Sequence, residues 1–200
     1  AVLAFPLPEA GAMPSPVATD AAGKVLDARL LGDGNPASGV DLSRPASGSP
    51  SLQVAYPRAQ TVRSAKLFVP GAAALFLGPS YLPQLEASDD GKTWRSVAEI
   101  PLSAVPTTVA FAPVTARWFR VVFNRAKGGH QLNFTPPVPG VDLMGLGAAM
   151  GMGAMGAAKP LKVTEFTLSP QDQIDRAETK AGFDVSLDYY ALDPKLPDTK

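Results

Sequence analysis

Twenty-one prolines and 18 glycines divide this 200-residue chain into short stretches rich in Val, Leu, Phe and Thr. That is the punctuation of many short strands, not of long helices. The chain is therefore expected to be all-β. Candidate strands run over Val2–Leu7, Lys24–Leu31, Ser51–Tyr56, Thr61–Val69, Leu82–Ser88, Thr93–Ile100, Thr107–Phe111, Ala116–Phe123 and Leu161–Leu168. Their spacing suits a sandwich or barrel. The length is within the range of one domain with one core, and no internal repeat points to a solenoid or propeller.

Side chains alternate faces along a strand. In Ala116–Phe123 this puts Arg117, Phe119, Val121 and Phe123 on one face and Trp118, Arg120 and Val122 on the other. Both faces carry apolar weight, as expected of a central strand with one face in the core, the other partly covered and Arg117 near its end. In Leu161–Leu168, Leu161, Val163, Glu165 and Thr167 share a face, so the Glu165 carboxylate sits among apolar neighbours and needs a partner. Between Ser88 and Trp94, Asp90-Gly91 offers a positive φ at little cost and predicts a tight antiparallel hairpin. Trp94 has two readings: packing on the hairpin and core, or a platform for stacking a sugar.

Eighteen Lys and Arg balance 18 Asp and Glu. No positive field gathers phosphates, and nucleic acid is not an expected partner. Without cysteine there are no disulfides, thiol nucleophiles or thiolate metal sites. The opening AVLAFPLPEAG lacks a basic leader region and does not read as an intact signal peptide. The low-polarity run from Leu143 to Ala158 is glycine-rich and shorter than the about 18 residues of a membrane span. With the preceding residues from Gly128 it reads as a long loop, either a disordered insertion or a methionine-bearing binding surface.

Four segments occur in a meaningful order. They are LLGDGNPAS at 30–38, SDDGKTWRSVAEI at 88–100, TARWFRVVF at 115–123 and KVTEFTL at 162–168. Together they resemble the discoidin-like (coagulation-factor type C) domains of the galactose-binding fold. The resemblance is carried by Ser88, Asp90, Gly91 and Trp94 in the hairpin, by Ala116, Arg117, Trp118 and Arg120 in the next strand, and by Glu165 with Phe166. It implies a jelly-roll β-sandwich over about residues 24–169. The ends, AVLAFPLP and DRAETKAGFDVSLDYYAL, look like the joints by which such a sandwich is embedded in bacterial α-L-rhamnosidases of glycoside hydrolase family 106. In that reading Glu178, Lys180, Ala181, Gly182 and Phe183 lead toward another domain. The implied organisation is a lead-in and linker over 1–23, the sandwich over 24–169 and a linker over 170–200. The implied setting is a secreted or periplasmic polysaccharide-degrading enzyme whose other domains are this chain's partners.

The sharpest candidate site is a structural calcium ion. Ca²⁺ takes six to eight oxygen ligands from flexible loops, and GDGNPAS supplies Asp33, Asn35 and Ser38. The resemblance implies that Glu165 completes this set. The alternative is that Asp33 and Asn35 only cap a turn, while Glu165 pairs with Arg29 or Lys162.

Carbohydrate recognition would use aromatic faces and a few polar groups at one end of the sandwich. Tyr81, Trp118 and Arg58 are the candidates, with Tyr56, Arg63 and Asn133 as further ones. No catalytic constellation is found. His130, the single histidine, sits in a glycine-flanked loop, and no Gly-x-Ser-x-Gly, His-Glu-x-x-His or phosphate-binding Lys-Ser/Thr loop occurs. Glycoside hydrolysis needs only two carboxylates, for which Glu86, Asp89, Asp90 and Glu99 are the candidates. The reading is thus a non-catalytic accessory or carbohydrate-binding module of a larger glycoside hydrolase. The alternatives are a stand-alone glycan- or protein-recognition module and, last, a glycosidase in its own right.

Overall fold

The computed structural model describes residues 13–43, 45, 47–71, 73–74, 78–79, 81–126 and 160–183. The predicted strand Val2–Leu7, the loop through His130 and Asn133, and the residues beyond Phe183 lie outside the described residues. The strands are β1 (Val17–Asp20), β2 (Val25–Leu26), β3 (Val40–Leu42), β4 (Ser51–Phe68), β5 (Ala73–Ala74) and β6 (Gly78–Pro79). They continue with β7 (Tyr81–Ser88), β8 (Arg95–Glu99), β9 (Thr107–Arg125), β10 (Leu161–Val163) and β11 (Glu165–Ser169). A short helix, α1 (Ala177–Lys180), follows.

The main sheet is antiparallel and runs β2-β1-β4-β9-β7-β8. β4 is flanked along the other edge by β1 at Leu52–Ala55 and by β11 at Ser64–Phe68. A second antiparallel pair, β10 with β3, supplies Val40, Leu42 and Val163 to the same core as Leu52, Val54, Leu85, Phe119 and Val121 of the large sheet. This is an all-β, jelly-roll β-sandwich, as the sequence predicts. The alternation read from Ala116–Phe123 holds from Phe119 on, where Phe119, Val121 and Phe123 are wholly buried, and fails at the bulge, where Ala116 is buried and Arg117 exposed. Burying each of the two phenylalanines stabilises the fold by about 2–3 kcal/mol.

Several predicted elements differ in extent. Ser51–Tyr56 and Thr61–Val69 are one strand, as are Thr107–Phe111 and Ala116–Phe123. The β4–β9 ladder crosses two irregularities without ending. Residues 56–59 of β4 stand opposite Arg117 alone, and residues 111–113 of β9 stand opposite Arg63 alone. Bulges bend a ladder and add local twist while pairing resumes beyond them.

Lys24–Leu31 is not a single strand. After β2, the Asp27 carboxylate accepts the Arg29 N–H at 3.1 Å and turns 28–31 into one 3-10 turn. Leu161–Leu168 is cut at Thr164, whose N–H donates to Phe68 O at 3.1 Å as the chain passes between sheets. β1 also belongs to the large sheet, so among the described residues the first strand is at Val17, ahead of Lys24.

Candidate functional site

The three carbohydrate candidates do not meet. Tyr81 pairs with Arg125 at one end of the β7–β9 ladder, and Trp118 pairs with Ser88 at the other. Seven residue steps along β7 separate those positions, roughly 23 Å of strand. Tyr81 is half-buried and edge-on to Phe123, with centroids 6.2 Å apart. Tyr56, read as exposed from the sequence, is 5 % exposed and edge-on to Phe119. Burial pushes its phenol up to about 12. The alternation that buries Leu52 and Val54 carries Tyr56 to the same face before the bulge begins. Arg63 pairs with Asp172 at 3.6 Å.

Trp118 and Arg58 lie at the same end. Arg58 is exposed in the 56–59 bulge, and Trp118 follows Arg117, the residue opposite that bulge. The Arg117 guanidinium lies 4.5 Å from the Trp118 ring centroid, and its Nε donates to Tyr56 O at 3.0 Å. A Cβ added at Gly91 would come within 3.5 Å of the same indole, so the hairpin also covers Trp118. Trp94 is capped as well. The Arg120 guanidinium lies 4.1 Å from its centroid, and Arg120 Nε donates to Glu86 Oε2 at 2.6 Å. Trp94 therefore sits on the outer face of the sheet with an arginine over it. Sequence reasoning flagged both arginines in the Ala-Arg-aromatic-x-Arg strand but not that each covers a tryptophan.

The β7–β8 connection is an antiparallel hairpin as predicted, but a wider one. The last pair is Ala87 with Arg95, leaving seven residues, 88–94, in the turn. Asp90 holds it together by accepting the N–H groups of Thr93 (2.7 Å) and Lys92 (2.8 Å) and the Ser88 hydroxyl (2.9 Å). Those bonds keep its carboxyl well below the usual range. Asp89 accepts from Arg95 at 2.8 Å. Three of the four carboxylates considered for glycoside hydrolysis are therefore engaged, Asp90 by its own turn, Asp89 by Arg95 and Glu86 by Arg120.

Three of the four calcium candidates, Asp33, Asn35 and Ser38, are bonded to one another in one loop. Asp33 Oδ1 accepts the Asn35 N–H at 2.9 Å, and Ser38 Oγ lies 2.6 Å from Asp33 Oδ2. Lys162 Nζ donates to Ala37 O at 2.6 Å, tying this loop to β10. Gly39, at φ 146°, closes the approach. A Cβ there would lie 2.5 Å from Val163 O and 2.9 Å from the Thr164 backbone, two residues and one residue before Glu165.

Glu165 bridges to Lys66 at 3.7 Å, not to Arg29 or Lys162; Arg29 pairs with Asp27. Burial raises the Glu165 carboxyl. Lys66 lowers it, and the negative charges of Glu178 and Asp33 raise it further. The loop thus offers oxygen donors only, beside a half-buried carboxylate that already feels Asp33 as a like charge. This donor set fits a hard cation. Among the described residues no group of three or more His, Cys, Asp or Glu gathers to hold a metal, and the loop set contains only two acids.

No protein-family model matches the chain, and no curated protein matches it. Solved structures do. The structure of the rhamnosidase from Novosphingobium sp. PP1Y is 38% identical with a TM-score of 0.68, over 94% of this chain and 14% of that one. A pectin binding carbohydrate binding module is 16% identical with a TM-score of 0.45, over 78% of this chain and 91% of the module. The family 32 carbohydrate-binding module from Streptococcus pneumoniae EndoD is 16% identical with a TM-score of 0.38, over 64% and 73%. The chain spans about one-seventh of the rhamnosidase it matches. It is a β-sandwich that resembles one segment of a rhamnosidase.

Proposed function

We propose that this chain is a non-catalytic accessory module of a larger α-L-rhamnosidase-like glycoside hydrolase, exported to the periplasm or secreted, where it helps present carbohydrate to the enzyme's other domains. One observation carries the reading: 38% identity along 94% of this chain to only 14% of a rhamnosidase. A segment of that size placed in an enzyme several times longer supports an accessory role. Among the described residues no helix is long and apolar enough to cross a membrane. The isolated chain should release no nitrophenol from aryl α-L-rhamnosides. Turnover above a buffer control, surviving further purification, would instead establish a glycosidase in its own right.

A structural calcium ion is the second part of the reading. Asp33, Asn35, Ser38 and Glu165 would hold it, and it would supply a positive charge joining the 33–38 loop to β11. The clamp at Gly39 and the like-charge coupling of Glu165 with Asp33 support this.

A further inference from the structure

Half of the described arginines in this sandwich are paired. Arg29, Arg63, Arg95 and Arg120 each form a salt bridge, to Asp27, Asp172, Asp89 and Glu86. Among the described residues Arg58, Arg117, Arg125 and Arg176 form none. Arg58 lies in the four-residue bulge, 56–59, that stands opposite Arg117 in the β4–β9 ladder.

Arg117 is also held still. Its Nε is spent on Tyr56 O at 3.0 Å, and its guanidinium lies over Trp118 at 4.5 Å, which leaves the two terminal NH₂ groups without a hydrogen-bond partner among the described residues. A guanidinium fixed along one edge and one face has lost most of its rotamer freedom before any ligand arrives, and its outer edge matches a carboxylate bidentately. Arg58, exposed in the bulge opposite, adds a second charge. Lys92, at the hairpin that covers Trp118, adds to the positive field. Asp90 and Asp89, the nearby acids, are already engaged by the turn and by Arg95.

We propose that the β4–β9 bulge is a binding site for the carboxylate of an acidic sugar, with Arg117 gripping it and Arg58 reinforcing the grip. This rests on the carbohydrate-presenting role above and narrows it to uronic-acid-bearing glycans. The covered faces of Trp118 and Trp94 assign the recognition to charge and fork geometry, not to aromatic stacking.

The test titrates the chain with polygalacturonate and with the same polymer after carboxyl reduction, alongside an array of neutral glycans. The expected result is binding to the acidic polymer that weakens about tenfold or more on carboxyl reduction. It should also weaken steeply as salt rises from about 50 mM to about 500 mM. Arg58→Gln, at an exposed bulge position, should reduce binding about tenfold with an unchanged Tm. Arg117→Lys should keep the charge and lose affinity, because the fork is gone. Equal affinity for acidic and reduced polymer, or full affinity in Arg58→Gln and Arg117→Lys alike, would overturn this site while leaving the accessory role standing on neutral-glycan binding. Capture of acidic proteins with no glycan bound at all would sink both.

Discussion

Arg120 sits between Trp94 and Glu86: its guanidinium is 4.1 Å from the indole centroid and its Nε is 2.6 Å from the carboxylate. A residue of β9 thereby ties the hairpin leading into β8 to β7 across the outer face of the sheet. Arg120→Ala removes both contacts and leaves the half-buried Glu86 carboxylate without its charged donor. The expected loss is about 1–3 kcal/mol, or several degrees of Tm. A double-mutant cycle with Trp94→Leu should show coupling of about 0.5–1 kcal/mol. Additive losses would mean that the stacking contributes nothing.

Gly39 and Gly34 both have positive φ, but only Gly39 is enclosed. Gly34→Ala should cost about 1 kcal/mol of backbone strain. Gly39→Ala drives a methyl into Val163 O and the Thr164 backbone, and should cost about 3 kcal/mol or more. Urea unfolding of the two variants checks the order. Equal losses would mean the loop is not pressed against the β10–β11 joint.

Calcium should raise Tm. An ion at a hundredfold excess over its Kd adds about 2.7 kcal/mol if it binds only the folded chain. Asp33→Asn and Glu165→Gln should each abolish most of that gain without preventing folding in chelator. Protein shown by elemental analysis to be calcium-loaded, yet unchanged in Tm after chelation, would remove the ion from the account.

Asp20 is buried, and burial alone would raise its carboxyl. The Ser43 hydroxyl and the N–H groups of Lys24, Ala22 and Ser43 outweigh that and hold it below the ordinary 3.8. A depressed folded-state value means the stabilisation is present above 3.8 and is lost as pH falls through the folded value. Urea midpoints measured from about pH 5 down to about pH 2 should fall less steeply in Asp20→Asn than in the parent. Parallel slopes would assign the acid sensitivity elsewhere.

The sequence displayed the inward face of β9 because Phe119, Val121 and Phe123 recur at the strand period, and they are buried as that period requires. It did not display the continuity of β4 and β9. Pro57 and Pro113 read locally as breaks, yet in the fold they sit inside bulges across which pairing resumes. Asp33, Asn35 and Ser38 were legible as a turn from their spacing. The partner of Glu165 was not, because Lys66 reaches it only through β11 pairing with β4, about a hundred residues earlier in the chain. The Arg58–Arg117 juxtaposition was hidden for the same reason. Neither residue stands out alone, and only the long-range register places the bulge that holds Arg58 opposite Arg117.

The central claim is that this sandwich presents carbohydrate as part of a larger enzyme, and binding of the isolated chain to a glycan array tests it most directly. Saturable binding to a defined subset of glycans, without their cleavage, is the predicted result. No binding to any glycan, by a chain shown to be folded and calcium-loaded, would contradict it.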